Sequence, residues 1–466
     1  MKRNRRGNSR SQARLRRHML GAVLALSLVA AACGSNDNEV TASTTTTTTT
    51  TESPPSTDAT TSSTQAPTPS TTEPGPLTAS FRGVTPETIK VGVMAFDWDR
   101  LAALGVEFGV SNNGDIYLAT LEEINERGGI YGRMLEPVLV EFLPVGSTEA
   151  DEACLKLTED EEVFVVIGTP LNEQILCVTE LHETAAVVAN GMNAERLERA
   201  KAPYVTVIAA QEVRAAGFVE VMTEAGVLDD VEVGVIGSID VSETNFRSMV
   251  QAMRNAGHDP VEGLIGGNAD DLEQSAREQG LIYQRMIDGG VSVAISTTGV
   301  PLEIANAFDS GYEPDQWLLS TVMTGRGLTD AGVPHEYLDG ALAVVNGPTG
   351  TTGQPLLGED PLVAACIDDL RERTDHPLPY SLEPPVNNIT TAIIACSLAT
   401  ILEQGLLNAG TDLTNESFQA GLDAIGELDL PGYHDANLGP DNHGAVKGLT
   451  LVRFNAAEGV WEPVNG

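Results

Sequence analysis

Beyond its first 32 residues the sequence is poor in positive charge. Lys and Arg number 27 against 66 Asp and Glu over 466 residues. Eight of those 27 (Lys2, Arg3, Arg5, Arg6, Arg10, Arg14, Arg16 and Arg17) crowd the N terminus, so the remainder carries a net charge close to −47. A surface of that sign repels nucleic acid and anionic lipid, which excludes both as recognition partners. It reports a strongly hydrated exterior and assigns no specific partner. Catalytic signatures are lacking as well. The absence of a GxSxG elbow, of HExxH, of GxxxxGKS/T and of GxGxxG excludes the standard serine-hydrolase, zinc-protease, phosphate-loop and dinucleotide sites. No cofactor, metal or catalytic residue is expected. The histidines past the leader are scattered: His182, His258, His335, His376, His434 and His443. Asp441-Asn442-His443-Gly444 is the most catalytic-looking cluster, but its residue types are those of a tight turn, so a surface hydrolase is a remote alternative. No repeat of 20 to 50 residues is visible, which excludes a solenoid.

The first 32 residues form a leader: a basic, acid-free stretch followed by the apolar run Leu20 to Ala32, in the order of a secretory signal and too short for a comfortable membrane span. The run ends in Ala30-Ala31-Ala32-Cys33-Gly34, which resembles a bacterial lipobox. That resemblance implies cleavage before Cys33, lipid attachment to it, and residence on the extracytoplasmic face of a cell membrane. Residues 33–86 are rich in Thr, Ser and Pro, with an unbroken threonine run from Thr44 to Thr51. Too little apolar surface is available there to offset ordering entropy, so a disordered stalk is expected, lifting a globular head off the membrane.

Four cysteines remain: Cys154, Cys177, Cys366 and Cys396. An even number in an exported chain favours two disulfides; three connectivities are open, as are buried free thiols. Sequential pairing, Cys154 with Cys177 and Cys366 with Cys396, is preferred because each pair joins neighbouring elements. Without a CxxC or clustered histidines, zinc is disfavoured.

From Pro86 the chain alternates strand and helix. Tyr117, Leu121 and Ile124 share one helical face while Glu122, Glu123, Glu126 and Arg127 stay wet, and Gly128-Gly129 ends the helix. Flanking strands at Ile89–Ala95 and Leu135–Phe142 complete a βαβ unit. Further strands are expected at 163–168, 185–190, 204–207, 231–236, 291–296, 317–320, 341–345 and 449–454. Two successive series of this kind predict an α/β protein of two doubly wound lobes, one from 87–207 and 347–430, the other from 208–346 and 431–466.

The segments ETIKVGV, INERGGIYGRMLEPVLVEF, VVIGT and EVGVIGS with NFRSMVQAMRNAGHDPV resemble the type I periplasmic binding proteins of the branched-chain amino acid (leucine/isoleucine/valine-binding) family. The likeness runs from about Thr88 to Phe454 and is most specific at IN-x-x-GGI-x-G, from Ile124 to Gly132; Asp339-Gly340 before a strand adds weaker support. It implies an ABC-importer substrate-binding lipoprotein, a monomer that works with permease subunits, with a ligand cleft between its lobes. A sensor using the same cleft is the alternative. In such sheets ligands lie beyond the strands' carboxyl ends. The loops expected there bring Asp97 and Trp98, then Thr169, Leu171 and Asn172, then Gly191 and Asn193, and from the second lobe Asp240 and Thr298. The resemblance gives Thr169 the ligand's carboxylate, while Asp97 or Asp240 could accept from an ammonium and Trp98 could stack. Each has a plainer reading as solvated acid, packing aromatic or helix cap. Gly, Met and Asn at 191–193 depart from the small and hydroxyl residues frequent in relatives, which weakens the case for an aliphatic amino acid.

Overall fold

The computed structural model describes residues 77–103, 111–144, 147–170, 173–266, 272–299, 301–320, 328–329, 331–346, 357–380 and 388–464. The leader, Cys33, most of the stalk, Leu171 and Asn172 lie outside the described residues.

The chain crosses between two sheets three times. Strands β1 (Thr88–Phe96), β2 (Met134–Phe142), β3 (Val165–Gly168), β4 (Ala185–Val188) and β5 (Tyr204–Ile208) begin the first sheet. After the first crossover come β6 (Val233–Ser238), β7 (Val261–Ile265), β8 (Val293–Ser296), β9 (Gln316–Leu319) and β10 (Leu342–Val345) of the second. The chain returns for β11 (Gly426–Leu428), β12 (Ala436–Leu438) and β13 (Gly444–Val446), then crosses again into β14 (Thr450–Asn455) and β15 (Val460–Pro463). The sheet orders are β11-β12-β13-β5-β4-β3-β1-β2 and β15-β14-β10-β9-β8-β6-β7. Each therefore contains five parallel strands in which the second strand lies outside the first and the third on its other side. This is the doubly wound arrangement the alternation predicts.

The inner strands β3, β4, β8, β9 and β10 are covered on both faces, which is why they are almost wholly apolar. In β3, Val165 and Ile167 join a core with the helices Gly114–Glu126, Pro361–Arg373, Ile389–Ala409 and Asn415–Asp423. Val166 points the opposite way, into a second core with Ala150, Cys154, Ile175 and Tyr204. The helix Ile389–Ala409 is long and apolar enough to cross a membrane by length and composition. Its apolar residues are instead spent inside this lobe: Ile393, Leu398, Ile401 and Leu402 are buried against the sheet.

The helix Gly114–Glu126 buries Ile116, Tyr117, Leu121 and Ile124, as its periodicity predicts. Glycine is required just after it. Gly129 has φ +65°, and a Cβ there would stand 2.0 Å from the Arg133 carbonyl oxygen. Arg133 is itself fully enclosed, and its guanidinium donates to the carbonyls of Thr85, Thr411 and Thr78 at 2.8, 2.9 and 2.9 Å. Buried backbone oxygens thus satisfy a buried cation.

Those bonds alter the expected stalk boundary. Residues 77–86 are part of the first lobe: Ser80 donates to the Leu413 carbonyl, Arg82 to the His182 carbonyl and Thr184, and Val84 pairs with Ile89. The second return also comes later than residue 431. β12 and β13 belong to the first sheet, with β13 parallel to β5, so the crossing falls between Val446 and Thr450. Strand β7 was not expected at all. Its sequence VEGLI breaks the apolar run with Glu and Gly, which an edge position tolerates.

The disulfides are Cys154–Cys177 and Cys366–Cys396, as expected from sequential pairing. The first lies near His182, a trio that could approach a metal together, but both sulfurs are already bonded to each other and offer no thiolate.

Candidate functional site

A doubly wound sheet has a crevice where the winding direction reverses, beyond the strands' carboxyl ends. In the first lobe that point lies between β1 and β3, and in the second between β6 and β8. Asp97 follows β1 and Thr169 follows β3; Ser238 ends β6 and Thr297-Thr298 follow β8. The topology thus brings these four loops to the two crevices.

Local chemistry divides the first-lobe candidates. Met94 pairs with Gly168 in register, and the Thr169 amide donates to the Met94 carbonyl at 2.9 Å. Gly168 has φ +108°, and a Cβ there would lie 2.1 Å from that carbonyl oxygen, so β3 turns out of the sheet at a residue only glycine fits. This turn presents half-buried Thr169. The Thr169 hydroxyl stands close to the phenol of Tyr117, without a hydrogen bond of ordinary geometry, and Tyr433 is near. Burial raises both phenols, Tyr433 to about 12, so at neutral pH they remain neutral hydrogen-bonding groups.

Asp97 is turned toward its own helix. It accepts from the Arg100 amide at 3.0 Å and from Asn112 Nδ2 at 3.3 Å, and Arg100 Nε stands 3.7 Å away. Glu141 is nearby, raised above the ordinary carboxylate range by burial and then by the charge of Asp97. Trp98 packs edge-on against Phe96 at 5.3 Å, which in turn meets Phe142 at 5.3 Å. Asn193 is buried and caps the helix Ala194–Arg199, its Oδ1 accepting from the Arg196 amide at 2.8 Å. The Gly191 carbonyl accepts from Arg196, which also pairs with Glu173. Just before them, Asn190 accepts from the Tyr204 hydroxyl at 2.8 Å, while its Nδ2 is buried without a partner. Asn190 is therefore the open polar group of this loop, one that sequence reasoning passed over for its neighbours.

In the second lobe, Thr297 donates to the Ile236 carbonyl at 3.0 Å and meets Ser242 at 3.2 Å, so its hydroxyl is used internally. Thr298 is half-buried, 3.5 Å from Ser296. Asp240 lies in the first turn of the helix Ile239–Asn255. Behind this crevice Glu303 is enclosed; neither carboxylate oxygen has a hydrogen bond of ordinary geometry, although the Ser296 and Thr298 hydroxyls stand near enough to favour its charge. Burial outweighs them and raises the carboxyl to about 7.

The cluster at Asp441-Asn442-His443-Gly444 is a turn. Gly439 and Asn442 exchange backbone bonds of 3.1 and 2.9 Å, Asn442 donates to Asn437, and His443 lies against the carbonyls of Tyr204 and Pro440. No nucleophile stands in those contacts.

Solved structures share this architecture. A solute-binding protein of an ABC transporter from Rhodopseudomonas palustris HaA2, in complex with p-hydroxybenzoic acid, superposes with a TM-score of 0.58 at 14% identity, covering 81% of this chain and 96% of its own. An ABC transporter substrate-binding protein from Desulfitobacterium hafniense in complex with Leu gives 0.55 at 14% identity, over 81% of this chain and all of its own. A leucine-binding protein from Thermotoga maritima gives 0.56 at 13%, over 81% and 98%. The chain has the type I periplasmic binding protein fold. The two lobes, the three crossovers and the crevices facing the strand ends are those of the binding-protein fold. No protein-family model matches the sequence, and no curated protein matches it, so the likeness rests on three-dimensional form at low identity.

Proposed function

We propose that the protein is the extracytoplasmic solute-binding subunit of an ABC importer. In this reading a lipid on Cys33 tethers it to the cell membrane, the stalk gives it reach, and the folded head, a monomer, captures a small polar solute and hands it to permease subunits. The observation that carries the reading is the pair of switch-point crevices on lobes joined by three crossovers, with the unpartnered Asn190 Nδ2 in the loop after the neighbouring strand β4. Such groups cost free energy when buried unpaired, and a bound solute that satisfies them stabilises the closed lobes. No reaction is needed; function is the higher affinity of the closed form for its ligand.

Thr169 is assigned a hydrogen bond to the solute, its backbone fixed by the bond from its amide to the Met94 carbonyl. The further residues assigned to solute contact are Leu171, Asn172, Gly191 and Asn193, with Trp98, Asp97, Asp240 and Thr298. Solved structures of the same fold hold leucine and p-hydroxybenzoic acid, which supports reading the solute here as an amino acid or a related compound. A thermal-shift screen over amino acids, aromatic acids, amides and polyamines tests this. A ligand at 100 times its Kd stabilises the fold by about 2.7 kcal/mol through mass action. A hit among these classes supports the reading, and no shift from any of them contradicts it.

A further inference from the structure

Where the three crossovers meet, the second lobe contains a cavity of about 30 Å³, room for about two waters or a compact charged head group. Each crossover contributes a lining residue: Gln211 just past the first, Asn346 just past β10 at the second, and Leu449 at the third. Ser320, at the end of β9, and Asn245 complete its polar wall. Gln211 is also tied to the first lobe, its amide donating to the Met192 carbonyl at 2.9 Å.

Into this space the helix Gln211–Glu224 brings Arg214. Four other described arginines are matched to acids or carbonyls: Arg100 to Glu149, Arg196 to Glu173, Arg373 to Glu126 and Asp369, and Arg133 to three carbonyls. Arg214 makes no hydrogen bond or ion pair with any described residue, and burial alone lowers its pKa from the ordinary value. Arg214 is half-buried at the edge of this cavity and faces no acceptor, although the chain has 66 acidic residues from which to pair it. Beside it, Asn346 Nδ2 and Gln211 Oε1 are also buried and unpartnered. A rotation of the Gln211 amide about its terminal bond would turn a second N–H toward the cavity.

We propose that Arg214, with Asn346 and Gln211, forms an oxyanion seat at the hinge, filled by the carboxylate head of the transported solute or by a free inorganic oxyanion. Arginine's planar fork matches such a head through two parallel bonds, and two amide N–H groups supply the remaining donors. Because all three crossovers border the seat, filling it fixes the lobes' relative orientation as well as the ligand. The first of the two occupants rests on the solute-binding reading; the second does not.

The test compares the full mature protein with Arg214→Met and Asn346→Leu by calorimetric titration and thermal shift, in chloride buffer. The probes are leucine, benzoate and octanoate, the amides leucinamide, benzamide and octanamide, and inorganic phosphate. Arg214 is half-buried and unpaired, so Arg214→Met should unfold at the parent's Tm when unliganded, which separates loss of binding from loss of fold. The seat is supported if an acid binds the parent at least tenfold more tightly than its amide and Arg214→Met abolishes that preference. It is equally supported if phosphate raises the Tm of the parent and not of Arg214→Met, an outcome that assigns the seat to a free anion. If acids bind and Arg214→Met changes nothing, the seat is overturned while solute binding stands. If only phosphate binds, and through Arg214, the seat stands and the solute reading falls. If no probe binds, both fall.

Discussion

Replacing Glu303 by Gln should change how stability depends on pH. Glu303 is 4% exposed in the first turn of the helix Pro301–Ser310, and burial raises its carboxyl from 4.5 to about 7. The folded chain therefore holds this proton more tightly than the unfolded chain. The stabilisation is fully present below pH 4.5 and is lost as pH rises toward 7. A gap of that size, at 1.36 kcal/mol per unit, corresponds to about 3 kcal/mol. The groups facing the carboxyl are the hydroxyls of Ser296 and Thr298 and, through the Glu303 backbone carbonyl, Tyr283 at 2.9 Å; no cation appears among them. Glutamine keeps the shape and removes the titration. Urea unfolding of both proteins from pH 4.5 to 8.5 should give near-equal stabilities at the acid end and an advantage for Glu303→Gln that grows to about 3 kcal/mol at pH 8. Taking the difference between the two proteins cancels every group they share. Parallel profiles would refute the reasoning, because they would mean that the carboxyl titrates alike in folded and unfolded chains.

Thr169→Ala should weaken solute binding by about 1–3 kcal/mol with the fold intact, measured by calorimetry on a solute from the screen; unchanged affinity removes Thr169 from the site. Gly168→Ala forces a Cβ against the Met94 carbonyl at 2.1 Å and should lower stability by more than about 1 kcal/mol, read from the urea midpoint. Removing Cys366 and Cys396 together opens a link of 30 residues' separation and should cost roughly 3–4 kcal/mol by the loop-entropy model; an unchanged Tm contradicts it. Mass spectrometry of the membrane-extracted protein should find a lipid-modified Cys33 at the new N terminus, and an unmodified Cys33 would remove the anchor.

The fold was legible where one physical rule dominated. Inner strands buried on both faces announce themselves as apolar runs, so β1, β3 to β6 and β8 to β10 were visible, and the edge strand β2 was found by its place after the helix and its glycine stop. The helix Gly114–Glu126 showed both its stripe and its glycine stop. Strands of three residues, β11 to β13, carry too few residues for a period to register, and β7 hides behind its Glu and Gly. Residues 77–86 read as stalk because their anchoring lies with Arg133 and Leu413, distant in sequence. At the site, strand ends pointed to the right loops but not to the right atoms. Asn193 serves as a cap and Asp97 accepts from its own helix, while Asn190, one turn of chain earlier, is left open. Arg214 was invisible for a different reason: an arginine on a helix reads as a solvated face, and only the placement of Asn346 and Leu449 beside it shows that it also lines a cavity.

The most direct test of the central claim is small-angle X-ray scattering of the mature protein with and without a saturating solute from the screen. Binding by closure of two lobes predicts a smaller radius of gyration and one ligand bound per chain. Binding with an unchanged scattering profile, or no saturable binding by any solute class, would contradict it.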